Sequence, residues 1–118
     1  MNNKELFQKE ALIAIKERFE PCLSMSSRKK ILTHLNNNTS CGLCTLTRKI
    51  AVNTTTYRCR MCPAKGRDSM GCGDGLWDDL GDYLSHSTLA KSKQCIRKCI
   101  DLLQTIVSGE RFVGDENT

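Results

Sequence analysis

A chain of 118 residues with net charge +5 and mean hydropathy −0.40 has room for one domain with a modest core. It carries one Trp, two Tyr and three Phe against eight Cys, so cross-linking through sulfur is a better source of stability than ring packing. No apolar run approaches the roughly 18 residues that span a bilayer. Met1-Asn2-Asn3-Lys4-Glu5 leads directly into a charged amphipathic pattern, not a signal peptide. The expectation is a cytoplasmic protein whose thiols stay reduced, where paired Cys-x-x-Cys motifs more often hold metal than form disulfides. The sequons at Asn37, Asn38 and Asn53 then carry no glycosylation meaning.

Residues 3–20 read as a helix. Phe7, Ala11, Ile15, Phe19 and Cys22 form one apolar stripe, widened by Leu6, Leu12, Ile13 and Ala14. Lys4, Lys9, Glu10, Lys16, Glu17 and Arg18 form its solvated face. Pro21 ends it, because the residue before a proline is pushed out of the α region. Ser26 or Ser27 can cap a second helix through about Leu35, with Ile31, Leu32 and Leu35 inward. Arg28, Lys29 and Lys30 occupy its first turn, the wrong end for cations relative to the helix dipole. His34 lies on this helix, where a spacer role outweighs a ligand role. Asn36 to Ser40 is a polar loop that delivers the chain to Cys41.

Cys41-Gly42-Leu43-Cys44 and Cys59-Arg60-Met61-Cys62 are two Cys-x-x-Cys pairs with fourteen residues between them. Each pair places two sulfurs at one tight turn, and two such turns brought together make the tetrahedral thiolate cage that zinc prefers. The reading is one structural Zn²⁺ held by Cys41, Cys44, Cys59 and Cys62. The intervening segment is rich in β-branched residues, and Leu46, Ile50 and Val52 share one parity. A short hairpin turning near Asn53 is therefore expected. A helix beginning at Cys44 competes with it, since Leu46, Lys49, Ile50 and Asn53 also fit a 3.6-residue period. After Pro63 the chain is glycine-rich, without the Gly-Lys-Ser/Thr of a phosphate loop or the carboxylate spacing of an EF-hand. Cys72, between Gly71 and Gly73, is a candidate to replace or supplement one of the four ligands.

Leu76 to Ser85 reads as a helix with Leu76, Trp77, Leu80, Tyr83 and Leu84 apolar, capped by Asp74, with Asp78 and Asp79 in the favourable first turn. Trp77 is its core anchor. A longer helix follows from a Ser87 cap to Gly109, with Ile96, Cys99, Ile100, Leu103, Ile106 and Val107 inward and Lys91, Lys93, Arg97 and Lys98 outward. Cys95 and Cys99 are read as core. A second metal site joining them to Cys22 or His86 is the alternative. The whole is a single mainly α domain of about four helices with a small zinc-stapled β-hairpin module in the middle. Residues 1–36 supply the N-terminal helices, 37–75 the metal module, 76–109 the C-terminal helices and 110–118 a flexible tail.

Cys41, Leu43, Cys44, Cys59, Cys62, Pro63, Gly71, Cys72 and Trp77, followed by a long helix, resemble a pattern found in a group of small phage and prophage proteins. That resemblance covers residues 41–107 and implies a phage-type accessory protein in the host cytosol, with no chemistry to carry over. Residues 41–62 also resemble zinc-ribbon and treble-clef modules, which implies Zn²⁺ on the four paired cysteines. The fifth cysteine departs from a plain ribbon.

Charge narrows the function. Residues 1–20 hold four basic and four acidic side chains, residues 21–67 nine basic and no acidic ones, and residues 68–118 five basic and nine acidic. The cysteines thus lie in an acid-free basic block that attracts an acidic partner. Arg48, Lys49, Arg58, Arg60, Lys65 and Arg67 are the candidate partner-binding residues. Phosphate contacts need such charges, so nucleic acid leads. The alternatives are an inhibitor or adaptor that docks on a host or defence protein, which needs the same charge, and an iron–sulfur protein, since four or five cysteines can hold a cluster. No small-molecule substrate is expected. Catalysis is disfavoured, because His34 and His86 are the only histidines and neither lies in a His-Glu-x-x-His or His-x-Glu context.

Overall fold

The computed structural model describes residues 2–37, 42, 43, 45, 46, 63 and 75–111. Among these residues every regular element is helical. They are α1 (Asn3–Ile13), a π-helical segment (Ala14–Phe19), a 3-10 segment (Glu20–Ser24), α2 (Arg28–Asn37), α3 (Leu76–His86) and α4 (Leu89–Val107). The expected hairpin module is therefore corrected. Thr45 and Leu46, where the hairpin was to begin, are helical, as are Gly42 and Leu43 in the expected Cys-x-x-Cys turn; no strand occurs among the described residues, and the expected turn near Asn53 lies outside them. The reason is packing. Leu43 and Leu46 are three apart, a helical spacing. Leu43 is fully buried and Leu46 packs against the same core.

The first helix begins where its capping chemistry places it. Asn2 Oδ1 accepts from the Glu5 backbone N–H at 2.9 Å. The predicted stripe of Phe7, Ala11, Ile15, Phe19 and Cys22 is buried throughout. Four of these residues are spaced strictly by four, and in a pure α-helix such a row drifts by about 40° at each step. The wider turns of the π segment reverse that drift and return Phe19 to the inner side. Leu12 and Ile13, by contrast, do not widen the stripe and are exposed. Pro21 does not end the helical path either. It sits in the first turn of the 3-10 segment, a position that needs no N–H from it.

In α2, Ser27 is the cap, its Oγ accepting from the Lys30 N–H at 3.1 Å, and Ile31 and Leu35 are buried. Arg28 finds its reason across the fold, where Nη1 donates to the Leu84 carbonyl in the last turn of α3 at 3.3 Å. A cation at the start of one helix thus serves the end of another, where it is favourable. The N-cap position of α3 is Gly75, at φ 87°, which has no side chain of its own to cap the helix. The expected Asp74 cap falls outside the described residues. Thr88, not Ser87, caps α4, accepting from the Lys91 N–H at 3.1 Å. Gly109, at φ 85°, closes α4 in the left-handed conformation expected of a C′ glycine.

The central element is α4, which packs against α1, the π and 3-10 segments and α3, while α2 packs against α3. One apolar cluster links all of them, with Phe7, Phe19, Ile31, Ile96, Leu103 and Ile106 at its centre. Trp77 meets Phe19 edge to face, with ring centroids 5.5 Å apart. The first turns of α1 and the end of α4 adjoin, and Gln8 Nε2 donates to the Val107 carbonyl at 3.1 Å. No helix among the described residues is long and apolar enough to cross a membrane.

Candidate metal centre

Cys41, Cys44, Cys59, Cys62 and Cys72 lie outside the described residues, as do Arg48, Lys49, Arg58, Arg60, Lys65 and Arg67. What the structure places is the set of residues interleaved with the cysteines. Leu43, between Cys41 and Cys44, is fully buried in the helical core. Pro63, which follows Cys62, is also buried, and its carbonyl accepts from Arg111 Nε. Each Cys-x-x-Cys pair therefore has an immediate neighbour fixed to the helical frame.

Both anchors use residues that the sequence does not advertise. Glu10 was assigned to a solvated face, yet its carboxylate lies against Gly42, so closely that a β-carbon there would collide with Oε2. Gly42 thus gives room to the Glu10 side chain, which a β-carbon there would push aside. Arg111 was placed in the flexible tail. Its backbone N–H instead donates to the Thr105 carbonyl at 3.0 Å and its guanidinium reaches Pro63. Residues 112–118 of that expected tail lie outside the described residues. The two anchors sit toward one end of the frame, since Glu10 follows the turn of α1 that bonds Val107, and Arg111 follows α4.

The alternative second metal site is not formed. Among the described residues no three His, Cys, Asp or Glu side chains group so as to hold an ion. His34 is a bridge between elements: Nε2 lies 3.0 Å from the Glu17 carbonyl and 3.1 Å from that of Arg18, and donates to them. His86 is exposed at the end of α3. Cys22, Cys95 and Cys99 are buried free thiols, as their core reading requires. Cys22 donates to the Arg18 carbonyl at 3.3 Å. Burial pushes all three thiols above their ordinary pKa, Cys99 furthest, with Arg18 partly offsetting the shift at Cys22 and Cys99. Burial thus favours the protonated form of all three.

Compared with protein-family models, with curated proteins and with solved structures, the chain matches none.

Proposed function

We propose that the chain is a non-enzymatic, zinc-stabilised binding protein of phage accessory type whose basic central segment engages an acidic macromolecule, nucleic acid ahead of protein. The observation that carries this reading is the double anchoring of the central segment. Leu43 is buried beside the first cysteine pair and Pro63 is held by Arg111 beside the second. Cys41, Cys44, Cys59 and Cys62 would hold one Zn²⁺, with Cys72 as the candidate substitute. Anchors next to both pairs suit a cross-link that completes a fold. The zinc, when bound, supplies that cross-link and no reaction step. Four thiolates on Zn²⁺ sum to −2, which leaves most of the acid-free basic charge of residues 21–67 to face a partner.

The test has two independent readouts on the full chain. Elemental analysis should find about one zinc per chain, the stoichiometry of a four-thiolate site. Electrophoretic shift of single- and double-stranded DNA and RNA should weaken steeply with salt, and the triple change Lys49→Ala, Arg58→Ala, Arg60→Ala should flatten that dependence. Absence of any shift at low salt overturns the nucleic-acid reading. A nuclease-resistant protein captured from host lysate would then point to the docking alternative.

A further inference from the structure

Cys95 and Cys99 are one helical turn apart on the inner side of α4, and both are buried. Cys95 Sγ donates to the Leu76 carbonyl 3.5 Å away. A disulfide does not suit this pair. The β-carbons of residues four apart on a helix are about 5–6 Å apart, whereas a disulfide needs about 3.5–4.5 Å. Cys95 also lines a cavity of about 140 Å³ whose other walls are Leu76, Asp79, Tyr83, Lys91, Gln94 and Lys98. The pair is almost wholly shielded from bulk water, yet Cys95 borders a small, partly cationic chamber.

We infer that Cys95 and Cys99 form a two-sulfur site for a soft monovalent metal ion, represented by Cu(I), entered through the cavity beside Cys95. Thiolates select Cu(I) over harder cations. A two-coordinate ion needs no third donor, and the described residues offer none. Zinc, which requires four ligands, is not satisfied here, so the two cysteine sets of the chain would sort two metals. Binding releases both S–H protons to water, forms two S–Cu bonds and moves no electrons. The complex carries a charge of −1. Burial opposes that charge most and Asp79 adds to the opposition, while Lys98 near Cys95 and Arg18 near Cys99 partly offset it and Lys91 lines the chamber.

The experiment titrates the zinc-loaded full chain with Cu(I) under anaerobic conditions against a chromogenic Cu(I) chelator, and measures zinc in the same samples. One equivalent of Cu(I) should be retained with zinc undisturbed, and X-ray absorption should show two sulfur neighbours. Cys95→Ser and Cys99→Ser should each abolish retention, while Cys22→Ser keeps it. Lys91→Gln with Lys98→Gln leaves the core sulfurs in place and should weaken binding about tenfold, as expected for removing two partly screened charges near the ion. Unchanged retention in either cysteine variant, unchanged affinity in the lysine pair, or copper held by three or more sulfurs with loss of zinc would each overturn the site.

Discussion

Pro21 has no N–H, so the carbonyl of Glu17, four residues earlier, lacks the donor that an α-helix would provide. His34, arriving from α2, lies 3.0 Å from that carbonyl and 3.1 Å from the next one. One side chain thus repairs the backbone of another element. His34→Ala should destabilise the protein by about 1 kcal/mol, the net worth of a typical hydrogen bond, and His34→Gln should recover part of it. The midpoint of urea unfolding reads both. Cys99 gives a second residue-scale expectation, through pH. Its thiol titrates higher in the fold than in the unfolded chain, because burial opposes the charged form. The stability this contributes is whole below the unfolded thiol pKa of about 8.5 and declines as pH rises toward the raised folded value. Cys99→Val should therefore flatten the alkaline fall in stability by up to about 1.4 kcal/mol per pH unit, the effect of one proton. An identical slope in the two proteins would contradict it.

At the scale of elements, the contact between α1 and the helical turn at Gly42–Leu46 decides how the central segment is seated. Gly42→Ala should force the Glu10 carboxylate aside at a cost of up to about 1 kcal/mol, because the colliding atom ends a flexible side chain. In the background of Glu10→Ala the same change should cost almost nothing, and a double-mutant cycle by chemical denaturation measures the difference. Equal costs in both backgrounds would show that the close approach carries no energy. The same turn marks how far the sequence could be read. The stripes of α1 and α4 and the cap at Ser27 were legible, since each rests on neighbours three or four residues away. The start of the strand expected after Cys44 is helical at Thr45 and Leu46, because parity is a local signal, whereas burial of Leu43 is set by helices distant in sequence. Glu10 and Arg111 were invisible for the same reason. Nothing beside either residue in the chain encodes a partner 32 or 48 positions away.

For the whole molecule, the helical frame and the cysteine segment should be unequal partners in stability. The frame has its own core, so removing zinc should loosen the segment without melting the helices. Chelation, Cys44→Ser or Cys59→Ser should each lower thermal stability and abolish zinc binding while most far-ultraviolet helical signal survives. Complete loss of helicity on chelation would mean instead that the metal nucleates the entire fold. The junction of α1 and α4 has a further consequence. Gln8 bonds the Val107 carbonyl, and Lys4 borders Gly109. The described chain therefore comes close to closing on itself as a ring, and where a ring is cut matters little to its packing. A permuted chain, with residue 111 joined to residue 2 by a short glycine-rich linker and new ends opened between Ser87 and Thr88, should fold to the same core. The cysteine segment would then lie in the second half of the chain, after α4, α1 and α2, with only α3 following it. Order of synthesis could in this way be separated from the architecture it produces.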